Sequence, residues 1–240
     1  MGARKQLKRY AMPKTLKLPI KEAAWVTKSD PGPHSADRAI PLRVLVRDYL
    51  GLARNAKEAD RVVAMGEVVV DGRIRKNPKF PVGLMDVIHI PKLGKYYRIL
   101  VDSHGRLDLV EIGVEEAKYK LCQVIGKQVV RGGKIQLNLH DGRNVVGDFR
   151  EVKRRDVVQL SLEDGSVLKH LKLAEGNLGL IVRGKNPGIV GKIVGIRKSG
   201  KHTTVILESD GARVEAPSEY AFVVGEDSPL ITLLGTGGAS

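Results

Sequence analysis

Cations are the residues of this chain most able to do chemistry, and they come in clusters. Arg43, Arg47, Arg54, Lys57, Arg61, Arg73, Arg75 and Lys76 crowd one stretch, and Arg183, Lys185, Lys192, Arg197, Lys198 and Lys201 crowd a second. Arg4, Lys5, Lys8, Arg9, Lys14 and Lys17 lead the chain. Such clusters displace condensed counterions from phosphates, an interaction that weakens steeply with salt. Residue types for covalent or metal chemistry are not so arranged. His34, His89, His104, His140, His170 and His202 are scattered, with none at metal-ligand spacing from another or from Cys122, the only cysteine. Cys122 reads as a small core residue. Carboxylate pairs such as Glu163-Asp164 fall in turns. Gly195 to His202 nearly matches a phosphate-binding P-loop. However, His202 stands where magnesium needs a hydroxyl, and Thr203 to Leu207 reads as a strand rather than the helix required. We read the segment as a basic β-turn. No catalytic residue, metal or cofactor is expected.

Something must hold these cations in place. From Leu42 to Asp86 the pattern predicts two short amphipathic helices, a tight basic hairpin and a return strand. Leu42, Leu45, Val46, Tyr49 and Leu50 repeat at helical spacing. A second helix opens at Asn55 with Glu58 three residues on, like a capping box, and stops at Gly66. Ala56, Ala59, Val62 and Val63 line its inner side, leaving Arg54, Lys57 and Arg61 outside. Val68 to Val70 leads through Asp71-Gly72 into Arg73. Downstream the chain reads mostly as β structure: Tyr96–Val101, Lys134–Leu139, Val157–Leu162 and Val205–Leu207 are strand candidates, and Glu115–Val124 is expected as one short helix. Asp71-Gly72, Asp141-Gly142, Asp164-Gly165 and Asp210-Gly211 predict four primed-turn hairpins.

The fold class expected is α+β, mainly β. Residues 1–40 form an extended basic arm broken by Pro13, Pro19, Pro31 and Pro33. A small α/β RNA-binding domain spans 41–92, and a central β domain spans 93–171. A glycine-punctuated small β-barrel occupies 172–207, and residues 208–240 form an acidic segment, a hairpin packed on the body and a tail.

Composition narrows the partner. The chain has 240 residues, 42% of them hydrophobic, enough for buried cores. A net charge of +14 calls for a polyanionic partner. Residues 1–28 carry eight lysines and arginines against one acid, and residues 172–207 carry seven against one. The last 33 residues reverse the sign, with six acids and one arginine. No window approaches the roughly 20 apolar residues that span a bilayer, and no apolar run follows the basic start as in a signal peptide. Aromatic content is only 4%, leaving few rings for base stacking. Phosphate and shape recognition of folded RNA is therefore the expected mode.

Two family resemblances follow from particular residues. Gly105-Arg106-Leu107-Asp108 resembles the catalytic aspartate motif of pseudouridine synthases, some of which carry a module like residues 42–90. Glu111 replaces that motif's threonine, and the chain after Asp108 is too short for the catalytic sheet. The stronger resemblance covers nearly the whole length. Lys8-Arg9-Tyr10-Ala11-Met12-Pro13, Pro31-Gly32-Pro33-His34, Asp71-Gly72-Arg73, Gln136 to Asn144 and Gly176-Asn177 are similar to the small-ribosomal-subunit protein four family of archaeal and eukaryotic type. Gln6 departs from that family's histidine, and the aromatic that the family places near Leu16 is absent. The length resembles the archaeal members. The resemblance implies that 42–90 is an S-four-like RNA-binding domain and that 172–207 is a KOW-type barrel. It also implies a structural, non-enzymatic constituent of the small ribosomal subunit in the cytoplasm, with partners in small-subunit rRNA and neighbouring ribosomal proteins. No membrane and no small-molecule substrate is implied. A transcription-associated adaptor built on the barrel is the other non-enzymatic reading.

Overall fold

Short strands that alternate apolar and polar residues pair antiparallel throughout this computed structural model, which describes residues 6–200, 202–209 and 211–234. Arg4, Lys5, Lys201 and Asp210, singled out above, lie outside them. The chain separates into two compact units: residues up to Leu100 with Arg106–Ala117, and Val101–Gly105 with Lys118 onward.

In the first unit, β1 (Leu7–Lys8) pairs with β2 (Trp25–Val26), and β3 (Ala39–Pro41) leads into α1 (Leu42–Val44) and α2 (Ala56–Ala64). A sheet of order β5-β4-β7-β8-β9 follows, from β4 (Val69–Val70), β5 (Arg73–Ile74), β7 (Val87–Ile90), β8 (Lys95–Val101) and β9 (Leu107–Ile112). The short β6 (Pro81–Gly83) pairs with β3. The helix expected over Leu42–Leu50 is one α-turn that widens into a π-turn over Leu45–Tyr49, where the Leu50 N–H reaches the Leu45 carbonyl at 3.0 Å. The extra residue per turn rotates the stripe, so Leu42, Val44, Leu45 and Val46 are all buried. In α2, the Asn55 side chain accepts the Glu58 N–H at 3.0 Å. Glu58 in turn accepts from the Arg54 N–H at 2.7 Å, one residue earlier than in a capping box.

Residues 6–40 are not the extended arm expected. Leu16 is 4% exposed. Lys17 is ion-paired with Asp108 and its N–H donates to the Tyr49 hydroxyl, while Leu107 N–H donates to the Thr15 carbonyl. His34 is buried, with its Nε2 2.9 Å from both Asp86 carboxylate oxygens. The ring lies flat against Gly83, where an added Cβ would fall 2.4 Å from the imidazole. Pro31-Gly32-Pro33-His34 therefore latches this segment onto the body, a role invisible in a turn-like tetrapeptide.

The second unit holds two five-stranded sheets. One has the order β12-β11-β10-β13-β14, from β10 (Tyr119–Val129), β11 (Ile135–Leu139), β12 (Asn144–Gly147), β13 (Val157–Ser161) and β14 (Val167–Leu171). The other has the order β18-β17-β16-β15-β19, from β15 (Leu178–Ile181), β16 (Val190–Ser199), β17 (His202–Ser209), β18 (Ala212–Pro217) and β19 (Ala221–Gly225). The helix expected over Glu115–Val124 is instead a 3-10 turn at Glu116–Lys118 running into β10. Strand β13 pairs with Tyr119–Gln123 and β11 takes over the ladder from Val124, and this pairing overrides the helical spacing of Ala117, Leu121 and Val124. Cys122 and Val124 enter an apolar core with Leu137, Leu139, Val158 and Leu160, while the Gln123 side chain donates to the Ala221 carbonyl. Beyond Glu208, β18 pairs with β17 and β19 with β15, and these two strands form the edges of the sheet. Of the three Asp-Gly turns that lie wholly within the described residues, only Asp71-Gly72 has positive φ at both positions, 50° and 74°. At Asp141-Gly142 and Asp164-Gly165 the glycine alone is left-handed, so these are not primed turns. Asp71 tolerates its φ because its carboxylate accepts the Val87 N–H at 2.9 Å.

Candidate nucleic-acid interface

The cations of the first unit divide into those that hold the fold and those that face outward. Arg43 makes a two-pronged bond to Asp60 of α2, at 2.6 and 2.7 Å, and so clamps the helical turns together. Arg47 pairs with Asp48. Arg9 is 5% exposed and lies 3.7 Å from Glu22. Arg75 packs its guanidinium over the Phe80 ring at 4.4 Å. Lys17 is held by Asp108. These five side chains, read from sequence as RNA-facing, already have partners inside the protein.

Arg54, Lys57 and Arg61 are exposed along α2, and Arg73 and Lys76 along the hairpin. Among the described residues none of these five has an ion-pair partner. The hairpin runs beside the helix end, since a Cβ added at Gly66 would lie 3.0 Å from Ile74 and 3.7 Å from the Lys76 stem. Helix and hairpin thus contribute cations to neighbouring surface, as the spacing predicts. Lys8 and Lys14 are also exposed.

In the second unit, Arg183, Lys185, Lys192, Arg197 and Lys198 are exposed. Arg183 lies over Tyr220 at 5.6 Å, and Arg197 is 4.0 Å from Glu215. The Gly195–His202 segment is the end of β16, a left-handed Gly200 and the start of β17. It is a hairpin, and no helix follows it to serve a P-loop. Asp108, the residue of the synthase-like motif, sits on β9 with its carboxylate committed to Lys17 and the Leu109 N–H.

The deepest ionic site is structural. Lys120 is fully buried with its Nζ 3.0 Å from Asp141 Oδ2. Burial pushes the Asp141 carboxyl upward, but Lys120, His140 and the Arg143 N–H together outweigh it and hold the group at about 2. Sequence reasoning missed this pair because nothing in a strand pattern marks a lysine that turns inward. It also missed Lys28 and Lys79, which border one cleft because the Asp30 N–H bonds the Lys79 carbonyl. No signal in the sequence joins positions so far apart.

A short helix pair and a hairpin carrying outward cations without internal counter-charges define an RNA-binding module, and residues 41–88 match the S4 domain model. Residues 1–37 match the RS4NT domain and residues 93–167 the ribosomal family S4e. The chain belongs to that family of ribosomal proteins, which are structural proteins and not enzymes. It is 44% identical to the small ribosomal subunit protein eS4 of Methanosphaera stadtmanae, over 98% of each chain. It is 45% identical to that of Archaeoglobus fulgidus, over 94% of this chain and 97% of the relative. The crystal structure of the 30S ribosomal protein S4e from Thermoplasma acidophilum superposes with a TM-score of 0.72 at 32% identity, covering 81% of this chain and all of that one.

Proposed function

We propose that this protein is a structural constituent of the small ribosomal subunit, in the cytoplasm, that binds and stabilises small-subunit rRNA. The observation that carries the proposal is the set of exposed cations on α2 and the β4–β5 hairpin, Arg54, Lys57, Arg61, Arg73 and Lys76, free of ion pairs among the described residues and lying in the S4-matching segment. Their role is phosphate neutralisation and positioning. A second RNA-facing surface is assigned to Arg183, Lys185, Lys192, Arg197 and Lys198. Their glycine-punctuated strands are read as a KOW-like barrel extended by β18 and β19. Lys8 and Lys14 give a third. The limits 1–40, 41–92, 93–171, 172–207 and 208–240 remain our assignment of functional segments. The acidic end is assigned to neighbouring ribosomal proteins.

Sedimentation tests the reading. The protein should travel with small subunits at moderate salt, and its affinity for isolated small-subunit rRNA should fall by roughly 10³ between about 50 and 200 mM salt if six or more phosphates are engaged. A protein that stays off the subunits sinks the proposal, and the adaptor reading then replaces it.

A further inference from the structure

Two aromatic side chains are the only exposed ones among the described residues, and they share one cleft. Tyr10 is 72% and Trp25 53% exposed. The other eight rings are half-buried or buried: Tyr49 accepts a backbone N–H, Tyr96 stacks on His89, Tyr119 donates to a carbonyl, Phe80 and Tyr220 lie under arginines, Phe149 packs on a core, Phe222 is buried, and Tyr97 is half-buried. Leaving two large rings in water is costly without a partner.

Their placement is built by the backbone. Lys8 pairs directly across from Trp25 in the β1–β2 ladder, and the Arg9 N–H donates to the Ala24 carbonyl at 3.0 Å. Buried Val26 and Arg9 anchor the inner side of this hairpin, so Lys8 and Trp25 are presented outward, and Tyr10 follows in a 3-10 turn. The Lys8 ammonium sits 5.7 Å from the Tyr10 centroid and 5.8 Å from the Trp25 centroid. Lys28 completes the rim of the cleft, whose volume is about 610 Å³.

We propose that Tyr10 and Trp25 form a stacking site for an unpaired nucleobase, with Lys8 and Lys28 holding the phosphates that flank it. The proposal rests on the RNA-binding reading and refines it. Ring faces supply sequence-tolerant stacking, and the ammonium groups supply the charge match. A purely apolar protein partner would have to strip water from Lys8 and give it no counter-charge. An RNA strand satisfies rings and cations together. Because the rings are already held, little ordering opposes binding.

Trp25 is the sole tryptophan, so its emission reports on this site alone. Full-length protein is titrated with a short oligoadenylate and with an abasic ribose-phosphate oligomer of equal length. Oligoadenylate should quench the emission and bind roughly tenfold or more tighter than the abasic oligomer. Titration calorimetry, which needs no tryptophan, reads the variants: Trp25→Ala should remove that advantage, and Trp25→Phe, which keeps a ring face, should restore most of it. Neither variant should alter affinity for the abasic oligomer. Equal binding of the two oligomers, or an unchanged preference in Trp25→Ala, overturns the proposal. If rRNA binding then retains its steep salt dependence, only the stacking site has failed. If the protein binds no rRNA, the RNA-binding reading has failed with it.

Discussion

Lys120 and Asp141 form a pair whose members cannot be removed singly without harm. Each is almost completely buried, and a lone buried ammonium has no water to solvate it. Asp141→Asn should lower the unfolding free energy by about 3–5 kcal/mol in denaturant titrations. Lys120→Met combined with Asp141→Leu should recover much of that loss, since neither charge is then stranded. The pair also sets an acid limit. Asp141 lies at about 2 in the folded protein against an ordinary 3.8, so the stability it contributes is fully present above 3.8 and is lost as pH falls toward 2. Thermal melts of the wild type should steepen their decline across that window, and melts of the double apolar variant should decline less. Gly83 shows a different constraint, because its missing Cβ is what admits the His34 ring. Gly83→Ala should displace His34 from Asp86 and expose the 28–36 loop to protease, with cleavage there as the readout.

Helix α2 joins a folding role and a binding role in one short element. Its start depends on Asn55, and Asn55→Ala should cost about 1 kcal/mol of stability by leaving the Glu58 N–H without its acceptor. Its inner face, Ala59 and Val63, is buried, and Asp60 beside them receives Arg43. The outer face carries Lys57 and Arg61, and Arg54 is exposed just before the Asn55 cap. Changing all three to Gln should leave the melting temperature nearly unmoved. The slope of log affinity against log salt for rRNA should become shallower by about 0.7–0.9 for each phosphate no longer neutralised. Arg43→Gln should do the reverse, with stability falling and the slope little changed, because that guanidinium is committed to Asp60. The contrast separates cations that build the surface from cations that use it.

The balance of charge across the protein decides how the N-terminal stretch should be tested. Residues 1–28 hold eight of the cations, yet Leu16, Val26 and Arg9 are buried and Lys17 is paired with Asp108. Deleting the segment would expose core as well as remove charge, so a lower affinity would be ambiguous. Lys8→Gln with Lys14→Gln removes only exposed charge. It should flatten the salt dependence of rRNA binding while circular dichroism and melting stay at wild-type values. An unchanged slope would show that this surface does not meet phosphate.

Periodicity, turn chemistry and charge, all local in the chain, were enough to read a mainly β protein, the helical module, the Asn55 cap, the hairpin at Asp71-Gly72 and the outward cations of α2. The residues Gln136 to Asn144 carried the family resemblance, because a run of particular side chains arises by chance far less often than spaced glycines do. What local pattern cannot contain is the partner that lies far along the chain. Whether Glu115–Val124 is helix or strand depended on β13 offering a ladder edge to Tyr119–Gln123, with β11 taking over from Val124. Whether Arg43 binds phosphate or Asp60, and whether Lys120 faces water or Asp141, depended on which acid the fold brought within about 3 Å, where a charge-assisted bond outweighs solvation. The scarcity of aromatic residues argued against base stacking, since composition counts rings without locating them. Only the β1–β2 hairpin sets Trp25 and Tyr10 about one lysine, in water, on the same side.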